Sequence, residues 1–126
     1  MAQPTIVAID DEREFTKTLG QFFGARGYDI RVASDGIEGM ALVDRCDPDV
    51  VLVDLKMPGM DGDEVLRRIQ ATHARCRVIV ITAYNDGGKT RDRLLAAGAF
   101  AHFDKPISSL RDLSDTIQQA LTPGAV

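Results

Sequence analysis

The stretch Val50-Val51-Leu52-Val53-Asp54-Leu55-Lys56-Met57-Pro58-Gly59-Met60-Asp61-Gly62 decides the fold. Its first four residues are apolar and three are β-branched, which reads as a fully buried strand too short for a globular helix. A lone carboxylate, Asp54, ends it. The Met-Pro-Gly-Met-Asp-Gly run behind it forces a turn, because proline fixes φ and glycine accepts conformations that other residues avoid. An acid at the mouth of a buried strand lies where open α/β sheets bind ligands, outside the carboxyl ends of their strands.

Other stretches end in the same way. Thr5-Ile6-Val7-Ala8-Ile9 runs into Asp10-Asp11, and Val78-Ile79-Val80-Ile81 runs into Thr82-Ala83. A weaker strand, Ala99-Phe100-Ala101-His102-Phe103, runs into Asp104-Lys105-Pro106. If these strands are parallel, Asp10, Asp11, Asp54, Thr82 and Lys105 converge on one rim. Three carboxylates close together do not all stay ionised without a cation, because like charges raise each other's pKa. A hard site of oxygen ligands suits Mg²⁺, which keeps several waters and binds substrate phosphate as well. The threonine hydroxyl and the lysine ammonium are then left to hold an anion.

The segments between the strands carry helical patterns. Phe15, Leu19, Phe22 and Phe23 form one apolar face, and Gly27 stops that helix. Tyr28-Asp29-Ile30-Arg31-Val32 alternates as a half-exposed outer strand does. Ser34-Asp35-Gly36 caps a second helix, expected to turn Ile37, Met40 and Ala41 inward and to end at Asp47-Pro48. A third helix starts near Asp61 or Gly62 and buries Val65, Leu66 and Ile69. Arg67 and Arg68 read as solvated, and His73 as a polar, exposed residue at its frayed end. The adjacent Gly87 and Gly88 delay a fourth helix to Lys89 or Thr90, and it ends before Gly98. Leu110, Leu113, Ile117 and Leu121 mark one face of the last helix, with Thr122-Pro123-Gly124 ending it. Five strands alternating with five helices make a doubly wound α/β sandwich.

Taken in order, these motifs resemble the receiver domains of two-component response regulators: an acid pair after strand one, Asp54 before Met-Pro-Gly-Met-Asp-Gly, Thr82-Ala83 after strand four, and Lys105-Pro106 after strand five. The resemblance runs from about residue 5 to residue 121. With right-handed crossovers it implies a CheY-like, flavodoxin-like parallel sheet of strand order 2-1-3-4-5. It implies that Asp54 is the phosphoacceptor, taking a phosphoryl group from a sensor histidine kinase, a histidine phosphotransfer protein or a small donor. By the same resemblance Asp11 binds Mg²⁺ directly, Asp10 mostly through water, and the Lys56 backbone carbonyl is the third protein ligand beside Asp54. Lys105 and the Thr82 hydroxyl pair with phosphoryl oxygens. Pro106 fixes the turn that aims Lys105, with a cis Lys-Pro bond in view.

The resemblance also places an output surface, for an unknown protein target, on helix four, strand five and helix five. Its switch group is Thr82, Tyr84, Pro106 and His102, the last standing where the family commonly carries Tyr or Phe. Lys56 and Tyr84, two residues beyond Asp54 and Thr82, border the path of the hydrolytic water. Against the common family spacing, the segment from Thr82 to Gly98 is one residue long.

Totals narrow the alternatives. The chain has 126 residues, 44% hydrophobic and 27% charged, enough for one domain over residues 1–126 and not for two. A net charge of −4 argues against non-specific nucleic-acid binding. No apolar run approaches the ~20 residues of a membrane span, and no export signal is legible, so the expected location is cytoplasmic. Cys46 and Cys76 are expected to be reduced and unpaired. A phosphatase of the haloacid-dehalogenase type needs a second acid where Lys56 stands, and a cap domain. A flavodoxin-like cofactor module needs a Ser/Thr/Gly-rich phosphate loop where this chain has Asp10-Asp11-Glu12-Arg13-Glu14. A receiver fragment of a larger regulator or hybrid kinase stays open, although Met1 before a short lead-in reads as a natural start. On this reading the chain is no enzyme beyond catalysing its own phosphorylation and dephosphorylation.

Overall fold

A computed structural model describes residues 3–122. Five strands, β1 (Thr5–Ile9), β2 (Asp29–Ala33), β3 (Val50–Val53), β4 (Arg77–Thr82) and β5 (Ala101–Asp104), alternate with five helices. The helices are α1 (Arg13–Gly24), α2 (Gly36–Cys46), α3 (Gly62–Thr72), α4 (Lys89–Ala96) and α5 (Leu110–Leu121). All strands are parallel, in the order β2-β1-β3-β4-β5, as expected. The half-exposed β2 takes an edge. The fifth strand begins at Ala101 rather than Ala99, since Phe100 still belongs to the turn out of α4. Pro123 and Gly124, expected to end the last helix, lie outside the described residues.

Alternating strand residues feed two cores, which is why β1, β3 and β4 are apolar on both faces. Val7, Val51, Val53, Val78 and Val80 pack with Met40 of α2, with Val65, Leu66 and Ile69 of α3, and with Leu94 of α4. Ile6, Leu52, Ile79 and Ile81 pack with Leu19 and Phe23 of α1 and with Leu113 and Ile117 of α5. Side chains capping the N-termini of α2, α3 and α5 come from Asp35, Asp61 and Ser109, each accepting from a backbone N–H three residues on.

Two expectations need correcting. In α2, Ile37 is 68% exposed and Ala41 is exposed; the inward face is Gly36, Gly39, Met40 and Val43. The spacing is helical but the helix is turned, because the glycines let it approach β1 until no space remains for a side chain at Gly39 beside Ile9. The second correction is His73, which is half-buried rather than free. Its Nε2 lies 2.9 Å from Asp44 Oδ1 and its Nδ1 3.1 Å from Asp47 Oδ1, so the ring ties the end of α3 to that of α2. Cys46 and Cys76 are unpaired as expected, and burial pushes the Cys76 thiol up to about 12.

Both nitrogens of His73 face carboxylates, and only the imidazolium can donate to two acceptors at once. The hydrogen bonds to Asp44 and Asp47 hold its pKa above the usual 6.5. A folded pKa above the unfolded one stabilises fully below about pH 6.5 and is lost as pH rises through the raised value. The difference in urea midpoint between wild type and His73→Gln is therefore expected to be largest near pH 5.5 and to shrink by pH 8.5. An equal difference at both pH values would show that Asp44 and Asp47 do not raise the pKa of the ring in the folded protein.

Candidate functional site

The rim at the carboxyl ends of β1, β3, β4 and β5 gathers the carboxylates, the hydroxyl and the ammonium picked out in the sequence. Its rigidity comes from backbone ladder bonds that continue past the strand ends. Asp10 N–H donates to Ala33 O (3.0 Å), Asp54 N–H to Ile9 O (3.0 Å) and Lys105 N–H to Thr82 O (2.9 Å). The turn after Asp54 is held by Gly62, whose N–H donates to Leu55 O at 3.0 Å. A Cβ there would lie 2.5 Å from the Asp54 carbonyl, so only glycine lets α3 start this close to the site. The Lys105–Pro106 bond is cis.

Carboxylate oxygens of Asp10, Asp11 and Asp54 lie within 4.8 Å of one another. Asp10 and Asp54 are buried and Asp11 is exposed, so the cluster opens to solvent on one side. Burial pushes the Asp10 carboxyl up, and the adjacent Lys105 ammonium pulls it part of the way back. Asp10 Oδ2 is 2.7 Å from Lys105 Nζ, yet it is buried with no partner in hydrogen-bond geometry. Its contact with the lysine is an ion pair and not an aligned hydrogen bond. An orphaned buried carboxylate oxygen among three acids fits a hard cation.

Lys105 is placed differently from a simple partner of Asp54. Its Nζ donates to Glu12 Oε1 at 2.6 Å and to Asp54 Oδ2 at 3.5 Å, with the Phe15 ring centroid 4.9 Å away. Burial works against its charge, but the bonds to Asp10 and Glu12 overcome that and raise its pKa above the usual lysine value. Glu12 was not among the expected site residues. The acid run Asp10-Asp11-Glu12 was visible, but nothing in it told which acid reaches a lysine 93 positions away.

The remaining expected residues surround the cluster. Thr82 is buried, and its hydroxyl accepts from Tyr84 N–H at 3.2 Å. Lys56 N–H donates to Asp54 Oδ1 at 3.4 Å, and Lys56 Nζ stands 4.8 Å from the centre of the Tyr84 ring. These two long side chains meet beside Asp54. His102 pairs in register with Val80 on β5, and its Nε2 is buried without a partner. It borders a cavity of about 250 Å³ lined also by Tyr84, Asp86, Gly87, Gly88 and Arg91.

The response regulator receiver domain model matches residues 6–118 of this chain. The chain belongs to that family. Its relatives include sporulation initiation phosphotransferase F of Bacillus subtilis, 35% identical over 114 residues, which cover 89% of this chain and 91% of that protein. Response regulator MprA of Mycobacterium leprae is 35% identical over 103 residues, but these span 45% of its length. Regulatory protein AtoC of Escherichia coli is 34% identical, and the chain spans a quarter of it. Solved receiver domains share the fold. That of a CheY-like protein from Methanospirillum hungatei superposes with a TM-score of 0.87 at 27% identity, covering 94% of this chain and 93% of that one. A receiver domain from Clostridium thermocellum gives 0.84 at 30% identity, with 93% of each chain covered. Among the described residues no helix is long and apolar enough to cross a membrane.

Proposed function

We propose that Asp54 accepts a phosphoryl group from a histidine kinase or histidine phosphotransfer protein, and that the chain relays this as a change of surface. The observation that carries the reading is the position of Asp54: buried, within 4.8 Å of two further carboxylates and 3.5 Å from a lysine ammonium. An oxygen of the Asp54 carboxylate attacks phosphorus, the P–N bond of phosphohistidine breaks, and the imidazole keeps the electron pair. The product is an acyl phosphate. Asp10, Asp11, Asp54 and the Lys56 carbonyl would hold Mg²⁺. When bound, the ion offsets charge on the phosphoryl oxygens. Lys105 and the Thr82 hydroxyl pair with the remaining oxygens. The chain acts on no other substrate, so it is a signalling domain, working in the cytoplasm, and not an enzyme in the ordinary sense.

Likeness over 91% of a relative named a phosphotransferase supports a relay role for a single receiver unit over residues 1–126. Likeness to only part of longer regulators supports the alternative, a receiver within a larger protein. In either case the output face is α4, β5 and α5, toward a protein target and not nucleic acid. Thr82, Tyr84, His102 and Pro106 border it. The turn at Gly87 and Gly88, with φ of 76° and 95°, is a backbone that only glycine adopts freely, and it can carry the rearrangement together with His102.

Incubation with a small phosphodonor and Mg²⁺, read by intact mass, is expected to add one phosphate to wild type and none to Asp54→Asn. Phosphate gain by the variant would move the acceptor elsewhere. Mg²⁺ titrated into Asp11→Asn is expected to bind at least tenfold more weakly, as lost direct ligation implies; equal affinity would remove Asp11 from the ligand set. Lys56 and Tyr84 together shield the acyl phosphate, so replacing both with alanine is expected to speed its hydrolysis. An unchanged lifetime in the double variant would show that water does not enter between them.

A further inference from the structure

Lys105 has more partners than the phosphoryl reading needs. An ammonium carries three protons. Here Glu12 takes the best-formed hydrogen bond at 2.6 Å, Asp10 Oδ2 lies 2.7 Å away, and Asp54 Oδ2 is the most distant at 3.5 Å. The Phe15 ring stands on a further side. Glu12 and Asp54 accept two of these protons, and Asp10 Oδ2 and the Phe15 ring crowd the remaining side, so an incoming anion reaches the ammonium only when one carboxylate lets go.

The three carboxylates are not equally able to do so. The Asp10 and Asp54 side chains are 4% and 9% exposed, and both backbones are pinned by ladder bonds. The Glu12 side chain is 62% exposed and can return to water at little cost, since an exposed ion pair is worth little.

We propose that Glu12 is a positioning residue for phosphoryl acceptance: its carboxylate holds Lys105 Nζ in the resting site and must be displaced before Lys105 can pair with a phosphoryl oxygen on Asp54. The proposal rests on the reading of Asp54 as phosphoacceptor. No covalent bond changes in the exchange; one Lys105 N–H changes its acceptor from Glu12 Oε1 to a phosphoryl oxygen. Glu12 thus competes with the phosphoryl group, and the affinity of the site for a phosphoryl-like anion is set by the difference between the two bonds. The Glu12 main chain has a separate task, donating from N–H to Asp10 Oδ1 at 2.9 Å, and a side-chain substitution leaves that bond in place.

The test uses beryllofluoride with Mg²⁺, followed by amide NMR shifts around Asp54, on wild type, Glu12→Gln and Glu12→Ala. Both variants are expected to bind beryllofluoride roughly two- to fivefold more tightly than wild type, the size of effect one exposed ion pair permits. The Lys105 ammonium resonance of the anion-free protein is expected to shift in both, while the thermal unfolding midpoint stays unchanged. Wild-type binding with equal or weaker affinity in the variants would overturn the role of Glu12 and leave that of Asp54 standing. Failure of the wild type to bind would overturn the Asp54 reading and the proposal with it. An unshifted Lys105 resonance would show that Glu12 does not hold the ammonium.

Discussion

The rest of the molecule depends on holding buried carboxylates of like charge within reach of one another. Asp10 and Asp54 lie nearly out of water, where an ionised acid is costly unless something compensates it. Part of the compensation is Lys105, itself mostly buried and kept charged by the acids around it. Neither side of this arrangement is stable alone, since removing one partner leaves an uncompensated buried charge. The sheet exists, in this sense, to bring the ends of β1, β3 and β5 together and keep them there. The ladder bonds that run past the strand ends to Asp10, Asp54 and Lys105 do that with main-chain atoms, so the geometry does not depend on side-chain rotamers.

Stiffness is unevenly distributed around this rim. The central strands β1, β3 and β4 are almost wholly buried, with apolar side chains packed on both faces. Helix α4 is anchored far less deeply, with only Thr90 and Leu94 buried. Polar contacts hold it instead. Arg93 reaches Asp63 of α3 at 2.6 Å, Gln70 donates to Gly98 O at 3.0 Å, and Asp86 caps Thr90. A helix tied by exposed polar contacts, preceded by two glycines at positive φ, belongs to the low-stability end of a fold. It packs against β5, the strand that carries His102.

Much of this was legible in the residues. A run such as Val50-Val51-Leu52-Val53 announces a buried strand through local physics, hydrophobicity and β-branching, and each of the three inner strands carries such a run before its rim residue. Order along the chain then brought Asp10, Asp11, Asp54, Thr82 and Lys105 to one edge, because parallel strands with helical crossovers put every carboxyl end on the same side. Helix starts at Asp35 and Asp61 follow from side chains that cap their own first turn.

What the residues did not disclose was everything set by distances between elements. The inward face of α2 was misread because Gly36 and Gly39 count as nothing on a hydrophobicity scale, yet their lack of a side chain is what lets the helix settle against β1. His73 looked free because the two acids that bind it sit at the end of another helix, and Glu12 was not singled out because its lysine is 93 positions away. Hydrophobic period, turns and caps act over a few residues and can be read in a line. Helix rotation and the choice of which carboxylate meets which cation depend on ångström-scale approach in three dimensions, and only the folded chain decides them.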